Sequence, residues 1–89
     1  MKETKQAIKE LSLMLMYLTR MEEKNPFGGD PFVSAWKGYD FDVLNQLEEE
    51  ELIDQGRRPS KRKSVDIRGE GVAMAKELLN EYGIKDWGK

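Results

Sequence analysis

The sequence predicts a mainly α-helical domain with one small β hairpin, in the order three helices, hairpin, fourth helix. Three observations carry that expectation. Apolar residues recur at three- and four-residue spacing over residues 2–22 and again over 70–82, the mark of helices with a buried side. Turn-forming clusters at residues 25–29 and 56–60 separate these helices from what lies between. Ser64-Val65-Asp66-Ile67 alternates polar and apolar, the two-residue period of a strand. With 89 residues the chain is read as a single domain, 1–89.

The first helix is expected over residues 2–22, where neither glycine nor proline interrupts good helix formers. Ile8, Leu11, Leu15 and Leu18 make one stripe, expected to face the core. Leu13, Met14, Met16, Tyr17 and Met21 cover much of the remaining circumference. A helix packed on one side needs an apolar stripe of only about 100°. Either this is a central helix wrapped on several sides, or its second face meets another subunit.

Asn25-Pro26-Phe27-Gly28-Gly29 reads as a loop. Asp30-Pro31 then reads as a helix start, a capping carboxylate followed by a proline that needs no amide. Phe32, Val33, Ala35 and Trp36 would form this second helix and Gly38 would end it. The third begins at Asp40, a good cap, with Asp42 favourably placed against the helix dipole. Tyr39 and Leu44 sit at staple positions on either side of that cap. Leu44 and Leu47 face inward, with Phe41 or Val43 beside them. Glu48, Glu49, Glu50 and Glu51 crowd its C-terminal end, where negative charge is disfavoured. Two helices joined by the tight turn Gly38-Tyr39 have helix-turn-helix spacing, about residues 30–51.

The hairpin follows over about residues 52–68. Leu52-Ile53-Asp54 is its first strand, residues 56–60 its turn-rich tip, and Lys63 to Ile67 its second strand. The last helix, about residues 69–82, turns Val72, Ala75, Leu78, Leu79 and Tyr82 inward, and Gly83 stops it. Ile84 and Trp87 lie in a tail, 83–89, with two large apolar anchors that would fold back on the core or leave it frayed.

This order resembles the winged helix-turn-helix domains of MarR-like and PadR-like transcription regulators. The likeness rests on Leu44-x-x-Leu47, Leu52-Ile53, the basic loop, Ser64-Val65-Asp66-Ile67 and Gly71, and covers about residues 30–82. The string Trp36-Lys37-Gly38-Tyr39-Asp40-Phe41-Asp42 also resembles a small bacterial family of the same pattern. Two positions depart from it. Glu51 stands where those families place a glycine, and a left-handed turn there would cost a non-glycine residue about 1–2 kcal/mol. Arg68 stands where they place a capping threonine, so the last helix would be capped at Gly69 or not at all.

Charge is split along the chain. The net charge is −2, yet residues 55–68 hold Arg57, Arg58, Lys61, Arg62, Lys63 and Arg68 against Asp66 alone. All the acidic excess lies elsewhere. The resemblance implies that the hairpin tip lies along a DNA backbone. Arg57, Arg58, Lys61, Arg62 and Lys63 would then contact phosphates, since each neutralised phosphate releases counterions. Lys37 would meet a further phosphate, and Asn45 and Gln46 would each pair with adenine in the major groove. Double-stranded DNA is therefore one expected partner, with transcription regulation as the implied role. The acidic third helix argues the other way, because Asp40, Asp42, Glu48 and Glu49 would face a polyanion. The alternative is a protein partner, docked on that acidic helix and on the aromatic group Phe27, Phe32, Trp36, Tyr39 and Phe41. A homodimer through the first and last helices is expected in either case.

Composition narrows the chemistry. Without cysteine or histidine there is no thiol nucleophile, no thiolate zinc site and no histidine base. Asp40 and Asp42 do not face each other on a helix. Asp54 and Asp66 would face each other across the hairpin, but no pocket is implied around them. No catalytic residue, metal ligand or cofactor is expected. The apolar run over residues 11–18, broken by Ser12, is too short to span a bilayer and has no signal-peptide cleavage pattern. A cytoplasmic protein away from membranes is the expectation.

Overall fold

The first helix stops at Leu18, not at Glu22, and the residues it gives up become a strand. A computed structural model describes residues 3–23, 26–29, 32–56 and 63–86. Its elements are α1 (Thr4–Leu18), β1 (Met21–Glu23), β2 (Phe32–Trp36), α2 (Phe41–Glu49), β3 (Ile53–Asp54), β4 (Ser64–Ile67) and α3 (Gly69–Glu81). The strands form one antiparallel sheet in the order β1-β2-β4-β3. This overturns the expected four helices with a two-stranded wing: the described residues form three helices and a four-stranded sheet.

The error is local. Residues 32–36 were expected as a helix behind an Asp-Pro start, and they form β2. Val33 and Ala35 fall on one face while Ser34 and Trp36 fall on the other, a two-residue period that a helix cannot satisfy. β2 pairs on both sides, Ser34 with Met21 and Ala35 with Val65. Thr19 ends α1, its hydroxyl bonding back to the Leu15 carbonyl at 2.8 Å. With β2 a strand, no helix-turn-helix exists here.

The later elements lie within a residue or two of where the sequence places them, but Tyr82, expected to face inward, is exposed. The Asp40 side chain accepts the Asp42 amide at 2.8 Å and caps α2. β3 and β4 pair as a hairpin, Ile53 opposite Ile67 and Asp54 opposite Asp66. Arg68 is the N-cap of α3 and gives no side-chain hydrogen bond, so that helix starts uncapped. At the other end Gly83, at φ 68°, lets the Ile84 amide reach the Leu79 carbonyl at 2.8 Å.

Ala35, Ile53, Val65 and Ile67 line one face of the sheet. They pack into a core with Leu13, Met14, Met16 and Tyr17 of α1, Leu44 and Leu47 of α2, and Ala75, Leu78 and Leu79 of α3. The α1 stripe is therefore reversed from expectation. Ile8, Leu11 and Leu15 are exposed, and the side holding Leu13, Met16 and Tyr17 is buried. The buried side also carries Lys9 and Glu10, with buried Arg20 just beyond its end, and each has a partner. Lys9 meets Glu50 and Glu10 accepts from Gln6. Arg20 bonds the Tyr17 carbonyl at 2.9 Å and lies over the Tyr17 ring. Polar groups so satisfied are no obstacle to burial.

The tail folds back through Asp86, since the Tyr17 hydroxyl donates to that carboxylate at 2.7 Å and Arg20 approaches it at 3.4 Å. Burial pushes the Tyr17 phenol up, and the Asp86 hydrogen bond adds to this. The same hydrogen bond holds the Asp86 carboxyl below its ordinary range, with the Arg20 charge helping. Ile84 itself stays exposed, and Trp87 lies outside the described residues.

The turn after α2 is left-handed at Glu51, at φ 61°. The Glu51 amide reaches the Glu48 carbonyl at 2.9 Å and the Leu52 amide reaches the Leu47 carbonyl at 3.0 Å. That is the paired bonding of a Schellman stop, which favours glycine. Here a Cβ bears the strain. Glu51→Gly is expected to raise stability by about 0.5–1 kcal/mol, the strain relieved less the extra chain entropy glycine brings to the unfolded state. Urea unfolding measures it, and an unchanged midpoint would mean the turn is unstrained.

Candidate nucleic-acid interface

Three segments meet where β2 ends, β4 begins and α2 starts. The Trp36–Ser64 pairing closes the end of the sheet, and one residue on the Lys37 amide donates to the Lys63 carbonyl at 2.9 Å. The chain between β3 and β4 rejoins the sheet at Lys63. Residues 57–62, with Arg57, Arg58, Lys61 and Arg62, lie outside the described residues. The expected phosphate contacts of Arg57, Arg58, Lys61 and Arg62 therefore fall outside the described residues, and of the basic cluster expected on the hairpin tip only Lys63 is placed.

Two large aromatics border this junction. Trp36 is 61% exposed and Phe41 is 70% exposed. The sequence favours core or half-buried packing for them over a protein-binding surface, and both are exposed. Trp36 is outside because its strand neighbours Val33 and Ala35 take the core face. Phe41 is outside because Leu44 and Leu47 take the buried side of α2. The Lys37 ammonium lies 5.8 Å from the centre of the Phe41 ring, within the reach of a cation–π contact. Tyr39, between them, is half-buried against the core, and burial pushes its phenol up. Phe27 is exposed; the Phe32 side chain lies outside the described residues.

The other expected base-reading residues are not in this group. The Asn45 amide oxygen accepts from buried Gln55 at 3.1 Å. Gln46 faces α1, lining a groove with Lys5, Ile8, Asp40, Asp42 and Val43. So Lys37 and Lys63 come together with Trp36 and Phe41, while Asn45 and Gln46 point to two other sides of α2.

Several of the acids make internal bonds. Glu50 binds Lys9, and the Glu48 carboxylate accepts the Gln55 amide at 2.8 Å. Asp40 is spent on the α2 cap. Asp54 accepts the Gly56 amide at 2.8 Å and lies opposite Asp66 in the hairpin. At the acidic end of α2, Glu48 and Glu50 make internal bonds, while Glu49 and Glu51 are exposed. Among the described residues no group of three acids is placed to hold a metal ion, and no helix is long and apolar enough to cross a membrane.

The class is therefore a two-layer α+β domain: among the described residues, three helices lie on one face of a four-stranded antiparallel sheet. The chain belongs to the family described as a domain of unknown function, DUF6429, whose model matches residues 4–85 and so takes in all seven elements. No curated protein and no solved structure matches it.

Proposed function

We propose that this domain binds single-stranded nucleic acid at the junction of β2, β4 and α2. The supporting observation is the pair of exposed rings, Trp36 and Phe41, on either side of Lys37 in the chain, with the Lys37 amide bonded to Lys63, the residue that in sequence follows Arg57, Arg58, Lys61 and Arg62. Exposed aromatics among cations suit single strands, whose bases stack on the rings while the backbone runs along the positive charge. A duplex keeps its bases stacked inside and would leave the rings without a role. The loss of the helix-turn-helix removes the element that would have entered a major groove. The absence of cysteine fits a cytoplasmic location for such a role.

A fluorescently labelled deoxythymidine or uridine oligonucleotide of about 20 residues is the probe, long enough for the four to sixteen nucleotides or so that such sites cover. Binding should weaken with salt by a log–log slope of about −0.7 for each phosphate contacted. Trp36→Ala and Phe41→Ala should each weaken binding by about 1–3 kcal/mol, the value of one stacked base. Both rings are exposed, so the fold should be unaffected. Neutralising Arg57, Arg58, Lys61 and Arg62 together should abolish binding. Tighter binding to duplex of the same length would overturn the single-strand assignment. No binding at low salt would remove the reading entirely.

A further inference from the structure

The outward side of α1 carries a second apolar seam that the core does not use. Ile8 is 46% exposed, Leu11 56% and Leu15 51%. With exposed Thr4 and half-buried Leu18 they follow strict four-three-four-three spacing. At about 100° per residue this seam is centred opposite the side that holds Leu13, Met16 and Tyr17. Three adjacent half-exposed aliphatic side chains on one helix, at the heptad spacing of a coiled coil, are arranged to meet another helix. Nothing of this kind is on α3, whose exposed side carries Lys76, Glu77, Asn80 and Glu81.

We propose that the seam docks against the same seam of a second copy of this chain, with the two α1 helices antiparallel. Three features select that occupant. The seam is nearly symmetric about its own middle, so an antiparallel copy sets Leu11 against Leu15 and Ile8 against Leu18. Its flanks are small where the helices would approach closest, Ala7 on one side and Ser12 on the other. Carboxylates gather at one end, where the cap residue Glu3 and Lys5 of α1 lie with Asp40 and Asp42 beside Ile8, while at the other end Glu22 is held by Arg20 at 3.7 Å. A parallel pair would bring those like-charged ends together, at a cost. An antiparallel pair sets each of them against the Leu18-Thr19 end of the other helix, where the nearby Glu22 is already paired with Arg20. α1 is short, and its seam falls below the roughly 800 Å² per partner of a standard interface, so association is expected at micromolar concentration.

Sedimentation velocity from about 1 µM to about 0.5 mM, a span that brackets micromolar dissociation constants, tests the association. The wild-type chain is expected to pass from monomer to dimer. Leu11→Lys and Leu15→Lys should each stay monomeric throughout while keeping the wild-type circular dichroism, because neither side chain is in the core. Orientation is read by oxidative cross-linking in this cysteine-free chain. Ile8→Cys alone should give no covalent dimer, since antiparallel helices hold the two positions apart beyond the roughly 7 Å a disulfide spans. Mixed with Leu18→Cys it should give one. A wild-type monomer at every concentration, or a dimer that survives both lysine variants, overturns the proposal. Efficient cross-linking of Ile8→Cys to itself overturns the antiparallel arrangement.

Discussion

Gly71→Ala is expected to lower stability by about 2–3 kcal/mol, although alanine is the better helix former. Propensity alone would favour alanine by about 1 kcal/mol within a helix. The surroundings reverse that sign. Gly71 lies in the first turns of α3, and a Cβ there would collide with the Leu52 carbonyl oxygen and press on Ile67 Cγ2. Neither neighbour is free to retreat. The Leu52 carbonyl accepts the Arg68 amide at 2.9 Å, and the Leu52 amide is held by the Leu47 carbonyl. Ile67 is paired with Ile53 in the sheet. Relief requires α3 to lift from the sheet, which weakens the packing of Ala75, Leu78 and Leu79. Gly69→Ala is the internal control, because a Cβ there meets nothing within 4 Å. It should be neutral or slightly stabilising. Thermal unfolding of both variants decides the matter, and equal midpoints for the two would show that the close approach at Gly71 does not constrain the fold.

The contrast between those glycines shows what a sequence can and cannot reveal. That residues 69–81 form a helix was legible from the spacing of Val72, Ala75, Leu78 and Leu79. Which of its glycines bears on a neighbouring carbonyl was not, because that depends on where Leu52 comes to rest. The same division runs through the chain. The Asp40 cap and the β3–β4 hairpin are local events set by a few adjacent residues, whereas the left-handed turn at Glu51 and the missing cap at Arg68 are each one of two outcomes the sequence leaves open. β2 was missed because Asp30-Pro31 is as good a helix start as any, and the pairing that defeats it comes from Met21 and Val65, distant in sequence. α1 carries two apolar stripes on opposite sides, and periodicity has no means of ranking them. The core took the stripe whose polar neighbours, Lys9 and Arg20, find partners on α2 and in the tail. Of the candidate site, the cluster of cations was plain from sequence. The exposure of Trp36 and Phe41 beside it was not, since it depends on β2 being a strand.

Glu50→Ala is expected to cost about 2–3 kcal/mol, and Lys9→Met much less. The Lys9 ammonium lies 2.7 and 2.8 Å from the two Glu50 oxygens, with the lysine side chain 5% exposed and the glutamate 37% exposed. The pair joins the core side of α1 to the C-cap of α2. Removing the carboxylate strands a buried cation. Fully buried pairs lose about 3–5 kcal/mol when broken this way, and the partial exposure of Glu50 lowers that figure. The carbonyls at the end of α2 offset a further part, since a helix C-terminus attracts positive charge. Removing the ammonium is different in kind. Methionine fills the volume of the lysine stem, and the half-exposed Glu50 carboxylate regains water. The double variant should therefore resemble Lys9→Met and be more stable than Glu50→Ala alone, a coupling that a double-mutant cycle in urea reads directly. Equal costs for the two single variants, or strictly additive ones, would mean that the cation is already well hydrated and that the bridge contributes nothing to holding α1 against α2.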